Sequence, residues 1–343
     1  MKLLVFTDNH FCESSSIVHG QGERYSARIE NQLATMAWLE KLAVERGCGA
    51  VVCLGDFFDK ATLEEHEITA AKDIKWCSLP HYFIVGNHES TTNGLEFNST
   101  KMLESETRRI ISEPMKMTID GCEVCFLPYV IESDRLPLAE YFGALQSGIR
   151  RIIFSHNDVK GIQMGPIVSK TGFDIEDIDS SCGLFMNGHL HNGQRISPVA
   201  VNLGNITGKD FGEDASRYTH CAAIVDTDTL GYELIENPCA YNFYKLEISS
   251  EKDVAALGGI KWNAVVSFKC KEALLDALRK KIGELSDKIV SSRIIVLRDA
   301  LEEGAEGDIS ELTMDHLAKF VECCRAEMNN TDALEFELAE ICK

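Results

Sequence analysis

Residues 50–59 read AVVCLGDFFD: an apolar run enters Gly55-Asp56, and a second acid follows at Asp59. A short β-branched and apolar run bounded by glycine is the pattern of a strand buried on both faces, so Ala50–Leu54 predicts one. Gly55 lets the backbone turn closely and present Asp56 at the strand exit. The same arrangement recurs along the chain. KLLVFT (2–7) runs into Asp8-Asn9-His10, and Tyr82–Val85 runs into Gly86-Asn87-His88-Glu89. RRIIFS (150–155) leads to His156, and LFMN (184–187) leads to Gly188-His189-Leu190-His191. Between the first strands, Ile29, Leu33, Met36, Leu39 and Ala43 recur at helical spacing, predicting a helix from Ala27 to Arg46 with Gly47 as its stop. Glu64–Trp76 also reads as helix. Strands alternating with helices predict a sheet at least partly parallel. Such sheets place ligands beyond the C-terminal ends of their strands, where each of these blocks falls.

Beyond Met115 the chain is richer in strand patterns. Met115–Ile119, Glu123–Leu127, Arg151–Ser155, Leu184–Asn187, Val199–Leu203, Cys221–Val225 and Phe243–Ile248 are expected to form a second sheet packed on the first. After Ser249–Gly259 comes a small β-α-β unit: strand Asn263–Phe268, helix Lys271–Leu285, strand Arg293–Leu297. Two amphipathic helices, roughly 310–328 and 331–342, follow a Gly/acidic stretch at 302–308. The fold class expected is α/β, with two packed mixed β-sheets flanked by helices, a small α/β cap and a C-terminal helical tail. The corresponding domains are 1–250, 251–303 and 304–343.

Composition narrows the function. The chain has 343 residues, 45% of them hydrophobic, and can bury a full core. Its net charge of −20 lacks the basic balance of a protein that grips nucleic acid unaided. Bound divalent cations would reverse that field locally. Thirteen dispersed cysteines, an odd number, point to reduced thiols rather than a disulfide framework. Cys122-x-x-Cys125 lacks a second pair and reads as core packing. The apolar run before Asp8 is too short for a signal peptide, and no stretch is long enough to span a membrane. The expectation is a cytoplasmic protein, in the host cytoplasm if phage-encoded, with no membrane partner.

The blocks supply a consistent donor set. Asp8 and His10, two apart at a strand exit, can face one side. Asp56 has two oxygens and can bridge two metals. Asn87 adds a neutral oxygen where a phosphate must land. His156, His189 and His191 complete seven side chains suited to two divalent ions, leaving His88 for proton chemistry. A metal pair held by Asp, Asn and His is a tool for breaking phosphate esters.

The ordered set resembles the calcineurin-like metallophosphoesterase superfamily over roughly residues 1–230. Within it the chain looks most like SbcD-type nuclease subunits, the bacterial and phage counterparts of the meiotic-recombination-eleven nuclease. GDFFD (55–59), PMKMTIDGCEVCFLPYV (114–130) and NLGNITGKDFGED (202–214) carry that resemblance. It implies one metal held by Asp8, His10, Asp56 and His191, and a second by Asp56, Asn87, His156 and His189, with His88 catalytic. The implied metal is manganese, with magnesium as the alternative. Asp59 stands where some relatives place a phosphate-contacting histidine; its bland reading is a cap for the following helix. Glu89 would orient a neighbouring ligand.

The resemblance implies a 3′-to-5′ exonuclease on duplex DNA ends and a single-strand endonuclease, serving recombination and double-strand-break processing. The implied partners are DNA, an SbcC-type ATPase docked by the tail helices, and a second copy of the chain, with the segment 95–113, read as helix, as a dimer face. The rival is a metallophosphatase or diesterase acting on phosphoproteins or small nucleotides. GNHE is shared with protein phosphatases. Those carry an arginine and a glycine after the second aspartate of the GD block, where this chain has Lys60-Ala61.

Overall fold

The computed structural model describes residues 1–13, 22–91, 94–164 and 167–297. The predicted tail, 304–343, and the end of the small unit lie outside them, as does His19. Met1–Val296 forms one compact unit.

The first sheet has six strands in the order Tyr232–Glu236, Cys221–Asp226, Lys2–Phe6, Ala50–Cys53, His81–Ile84 and Arg108–Ile111. Lys2–Phe6 through Arg108–Ile111 run parallel, with Leu3 opposite Ala50 and Val51 opposite His81. Parallel strands in step end on one edge, which brings the segments after Phe6, Cys53 and Ile84 together. Side chains alternate across this sheet, as the two-residue period demands. Leu4, Phe6, Val51, Cys53 and Phe83 pack against the helix Ala27–Glu45, while Leu3, Val5, Val52 and Ile84 face the second sheet. The helix starts at Ser26, whose side chain accepts from the Ile29 N–H, close to the predicted boundary.

The second sheet has the order Gln194–Arg195, Ala200–Asn202, Leu184–Asn187, Arg151–Ser155, Cys122–Leu127 and Met115–Ile119. Val124, Phe126, Ile152, Phe154 and Met186 meet the first sheet. Cys125, Leu127, Ile153 and Phe185 face outward under the helices Leu138–Phe142 and Ile175–Ser181. The two-sheet α/β sandwich is therefore the expected one. Cys122 and Cys125 are free, buried residues of this packing.

Several expectations need correction. Cys221–Asp226 does not belong to the second sheet. It pairs antiparallel with Lys2–Phe6 in the first, Val225 opposite Leu3. Asn242–Ile248 joins a separate three-stranded sheet with Ala264–Lys271 and Ile289–Leu297. That sheet packs Tyr244, Ile248, Val266, Phe268 and Cys270 on Val254 and Leu278 of the helices Glu251–Ala256 and Leu275–Glu284. The small unit thus takes its first strand from before residue 251. Segment 95–113 is not one helix. It holds a 3₁₀ turn at Ser99–Leu103 and the edge strand Arg108–Ile111, whose β-branched pair packs at the sheet edge. The Glu64–Trp76 helix is shorter, Glu65–Lys72. No helix among the described residues is long and apolar enough to cross a membrane.

Candidate metal centre

The strand exits of both sheets converge on one cluster of side chains. Asp8, His10, Asp56 and His156 are buried. Four site residues, Asp8, His10, Asp56 and His189, have positive φ, at 52°, 46°, 48° and 78°. Side-chain-bearing residues avoid this region, so the surroundings must impose it. They do so through a lattice of bonds. Asp8 N–H donates to Gly55 O at 3.1 Å, and His10 N–H to Asp56 O at 3.0 Å. His88 N–H donates to Asp56 Oδ1 at 3.0 Å, and His189 N–H to Asp8 Oδ2 at 3.1 Å. Two glycines permit the close approach. A Cβ on Gly86 would sit 2.1 Å from Asp56 Oδ1, and one on Gly188 would sit 2.2 Å from Thr7 Oγ1.

The imidazoles turn one nitrogen inward and tie the other down. His10 Nδ1 meets Asp59 Oδ1 at 2.8 Å, and His191 Nδ1 meets Glu213 Oε1 at 2.8 Å. His189 Nε2 meets Asp158 Oδ1 at 3.2 Å, and His156 Nδ1 meets Leu54 O at 3.1 Å. Ionised carboxylates and carbonyls only accept, so these outer nitrogens donate. This is the arrangement that orients metal-binding histidines and fixes their tautomer.

The inner atoms form two groups. In the first, His10 Nε2 and His191 Nε2 face each other at 2.9 Å, with Asp8 Oδ1 at 3.7 and 4.0 Å from them. Asp8 Oδ1 is buried and has no hydrogen-bond partner. In the second, His189 Nδ1 and His156 Nε2 lie 2.9 and 3.3 Å from Asn87 Oδ1. Asp56 Oδ2 stands between the groups, 3.2 Å from His156 Nε2 and 4.0 Å from His10 Nε2.

The residues fit a pair of divalent cations on chemical grounds. Two imidazole nitrogens whose partners have already taken the ring protons present lone pairs to each other. That contact, beside an orphaned carboxylate oxygen, is stable only with a cation shared among them. Burial opposes protonation of His10, yet Asp59 and Asp8 outweigh it and push its pKa up to about 9. His156 rises to about 9 in the same way, against burial, through Asp56. Burial also opposes ionisation of Asp56, but His156 and then His10 hold its carboxyl well below the usual range. Soft-to-borderline nitrogen and carboxylate oxygen together suit Mn²⁺, Fe²⁺ or Zn²⁺.

Comparison with known proteins agrees. Residues 1–217, which contain every side chain named above, match the family model of the calcineurin-like phosphoesterases. The chain belongs to that family. It is a metal-dependent phosphoesterase, and the grouped Asp and His side chains are its candidate metal-binding residues. No curated protein matches it. Among solved structures, a novel archaeal phosphodiesterase is 13% identical, covering 69% of this chain and 99% of its own, at a TM-score of 0.36. A dimetal phosphatase from Danio rerio is 14% identical, covering 69% and 99%, at 0.39. The Yfce phosphoesterase from E. coli is 12% identical, covering 69% and 100%, at 0.31. At these scores no activity is carried across from them.

The phosphoesterase brings together all seven expected donors and His88. His88 also stands within ligand-atom reach of His10 and Asp56. Asp59 is not a helix cap, because the next helix starts at Glu65 with Glu64 as its cap. Its carboxylate instead backs His10. Glu89 is buried. It accepts from Gly86 N–H at 2.8 Å and Phe58 N–H at 3.1 Å, tying the Asn87-His88 turn to the segment after Asp56. Burial first and Asp56 second raise its pKa to about 7. Three residues escaped sequence reasoning: Asp158 behind His189, Glu213 behind His191, and Lys209, whose Nζ lies 2.6 Å from Asp59 Oδ1. Asp158 stands two residues after His156 at a strand exit, and Lys209 and Glu213 lie within the quoted GKDFGED run. Those were the available signals.

Proposed function

We propose that this phosphoesterase is an SbcD-type DNA nuclease, a 3′-to-5′ exonuclease on duplex ends and an endonuclease on single strands. In this reading it works with an SbcC-type ATPase and a second copy of itself. The observation that carries it is the rooting of the small three-stranded unit in the loop that completes the histidine cluster. Tyr241 N–H donates to Thr207 O at 3.0 Å, Ala215 N–H donates to Phe243 O at 2.8 Å, and Phe211 packs on Phe243. That loop carries Lys209 and Glu213. A folded unit beside the cluster extends the surface available to a polymeric diester, which a small ester does not need. GDFFD and the FGED run support the same reading. With a net charge of −20, DNA affinity would come from bound cations and the ATPase rather than a basic face.

Two divalent ions held by Asp8, His10, Asp56, Asn87, His156, His189 and His191 would polarise phosphoryl oxygens and ease deprotonation of water. The chain's own part falls to His88. It is the most exposed of the five site histidines, with 39% of its side chain accessible. Its Nδ1 donates to Asp59 O at 2.9 Å, which fixes the ring and leaves Nε2 for substrate. Burial lowers its pKa, with Asp56 opposing. A neutral ring of this tautomer takes a proton from solvent at Nε2 as anionic ester oxygens approach, then gives it to the leaving oxygen.

The test compares end-labelled duplex DNA, single-stranded DNA, a phosphopeptide and a small diester, each with Mn²⁺, Mg²⁺ or chelator, with and without the ATPase. Metal-dependent shortening of DNA from its 3′ ends supports the reading. Turnover confined to the phosphopeptide or the small diester overturns it in favour of the phosphatase or diesterase alternative.

A further inference from the structure

Lys209 is the cation of this site that no metal-binding role accounts for, and we propose that it contacts substrate phosphate, donating to a non-bridging oxygen on the His88 side of the cluster. The inference builds on the phosphoesterase site and holds for any phosphate ester bound there.

The loop holds Lys209 in place from both ends. Asn205 Oδ1 accepts from Thr207 N–H at 2.8 Å and Gly208 N–H at 2.7 Å, and Lys209 N–H donates to Glu213 Oε2 at 2.7 Å. Gly208 has φ +69°, and a Cβ there would sit 2.2 Å from Tyr241 O. The chain therefore leaves this turn along one path, which aims the lysine stem at the cluster. At its end Nζ reaches Asp59 Oδ1 at 2.6 Å and His10 Nδ1 at 3.3 Å. Asp59 Oδ1 also lies 3.8 Å from His88 Nδ1. One carboxylate oxygen thus gathers His10, His88 and Lys209 on one side of the site.

An ammonium group has three donors. Asp59 takes one. His10 Nδ1 already donates to Asp59, so it offers Nζ no lone pair. The lysine is 28% exposed, beside the half-open His88. Beyond Asp59 and the His10 contact, Nζ has no hydrogen-bond partner among the described residues. A flexible stem with a compact charge suits a phosphate oxygen, and the tether to Asp59 reduces the conformational freedom lost on binding. The bland role, neutralising Asp59 behind His10, makes a different prediction: loss of the lysine would then disturb the metal.

The experiment uses the full chain loaded with Mn²⁺, with Lys209→Met and Lys209→Arg variants. Calorimetry measures Mn²⁺ stoichiometry and the binding of inorganic phosphate, and steady-state kinetics uses bis(p-nitrophenyl) phosphate. A charge-assisted contact to phosphate is worth a ~10-fold or larger change in affinity. Lys209→Met should weaken phosphate by that factor and raise KM in proportion, with two Mn²⁺ still bound, and Lys209→Arg should restore much of the loss. Phosphate affinity within twofold of wild type, or loss of one Mn²⁺ on removing the lysine, overturns the proposal. The phosphate arm is read even if wild type cuts no DNA, so failure of the nuclease reading is seen separately.

Discussion

His10 and His191 meet through their Nε2 atoms at 2.9 Å while Asp59 and Glu213 hold their Nδ1 atoms at 2.8 Å. The outer nitrogens are committed to carboxylates, the inner nitrogens face each other, and Asp8 Oδ1 lies alongside without a hydrogen-bond partner. Metal should therefore stabilise the fold itself. At free Mn²⁺ of 100 times Kd, a single site contributes about 2.7 kcal/mol. Thermal unfolding with Mn²⁺ against chelator should show a clear rise in Tm. An unchanged Tm at saturating metal would contradict this account.

The carboxylates behind the histidines act on different sites. Glu213→Gln should weaken the ion held by Asp8, His10 and His191, and Asp158→Asn the ion held by Asn87, His156 and His189. Each loss should be ~10- to 100-fold, the usual effect of removing such an orienting partner. Stepwise Mn²⁺ calorimetry resolves them. If both substitutions weakened the same step, the assignment of partners to sites would be wrong.

His88→Ala should separate chemistry from metal binding. His88 is anchored through Asp59 O and is the exposed member of the cluster. Its removal should lower kcat by ~10²- to 10⁴-fold. Mn²⁺ stoichiometry should stay at two. Loss of an ion together with activity would make His88 a ligand, a role its closeness to His10 and Asp56 allows.

Gly86→Ala tests the close packing under the site. The added methyl would fall 2.1 Å from Asp56 Oδ1 and 2.7 Å from Asp56 N, and the backbone atom cannot swing away. Overpacking of this kind costs about 1–3 kcal/mol. Chemical denaturation should show that loss, with weaker metal binding because Asp56 is displaced. A wild-type midpoint would refute it.

Acid stability should depend on a second buried pair, at the start of the strand His81–Ile84. Buried Glu40 accepts from His81 Nε2 at 3.0 Å. Burial opposes ionisation of Glu40, but His81 outweighs it and lowers its pKa from the ordinary 4.5. A carboxyl depressed on folding contributes stability in full above its unfolded pKa, and that contribution is lost as pH falls through the folded one. Wild type should therefore lose stability on acidification below about pH 4.5 more steeply than Glu40→Gln. Parallel denaturation midpoints across that range would remove the pair from the explanation.

Much of this was legible in the chain. The apolar runs into Asp8, Asp56, Asn87 and His189 marked strands by composition alone, and parallel neighbours end on one edge, so local pattern and site placement travelled together. The seven donors and His88 followed, because strand exits are where side chains leave the pleat. Tertiary structure decided what depends on partners distant in sequence. Cys221–Asp226 carries the same apolar signature whichever sheet it joins, and only its pairing with Leu3 and Leu4 placed it in the first. Asn242–Ile248 likewise went to the small sheet through Ala264–Lys271. Glu213 and Lys209 sit in a loop whose sequence reads as polar connection. Their roles arose from the fold carrying that loop back to His191 and Asp59, a long-range closure that no local periodicity encodes.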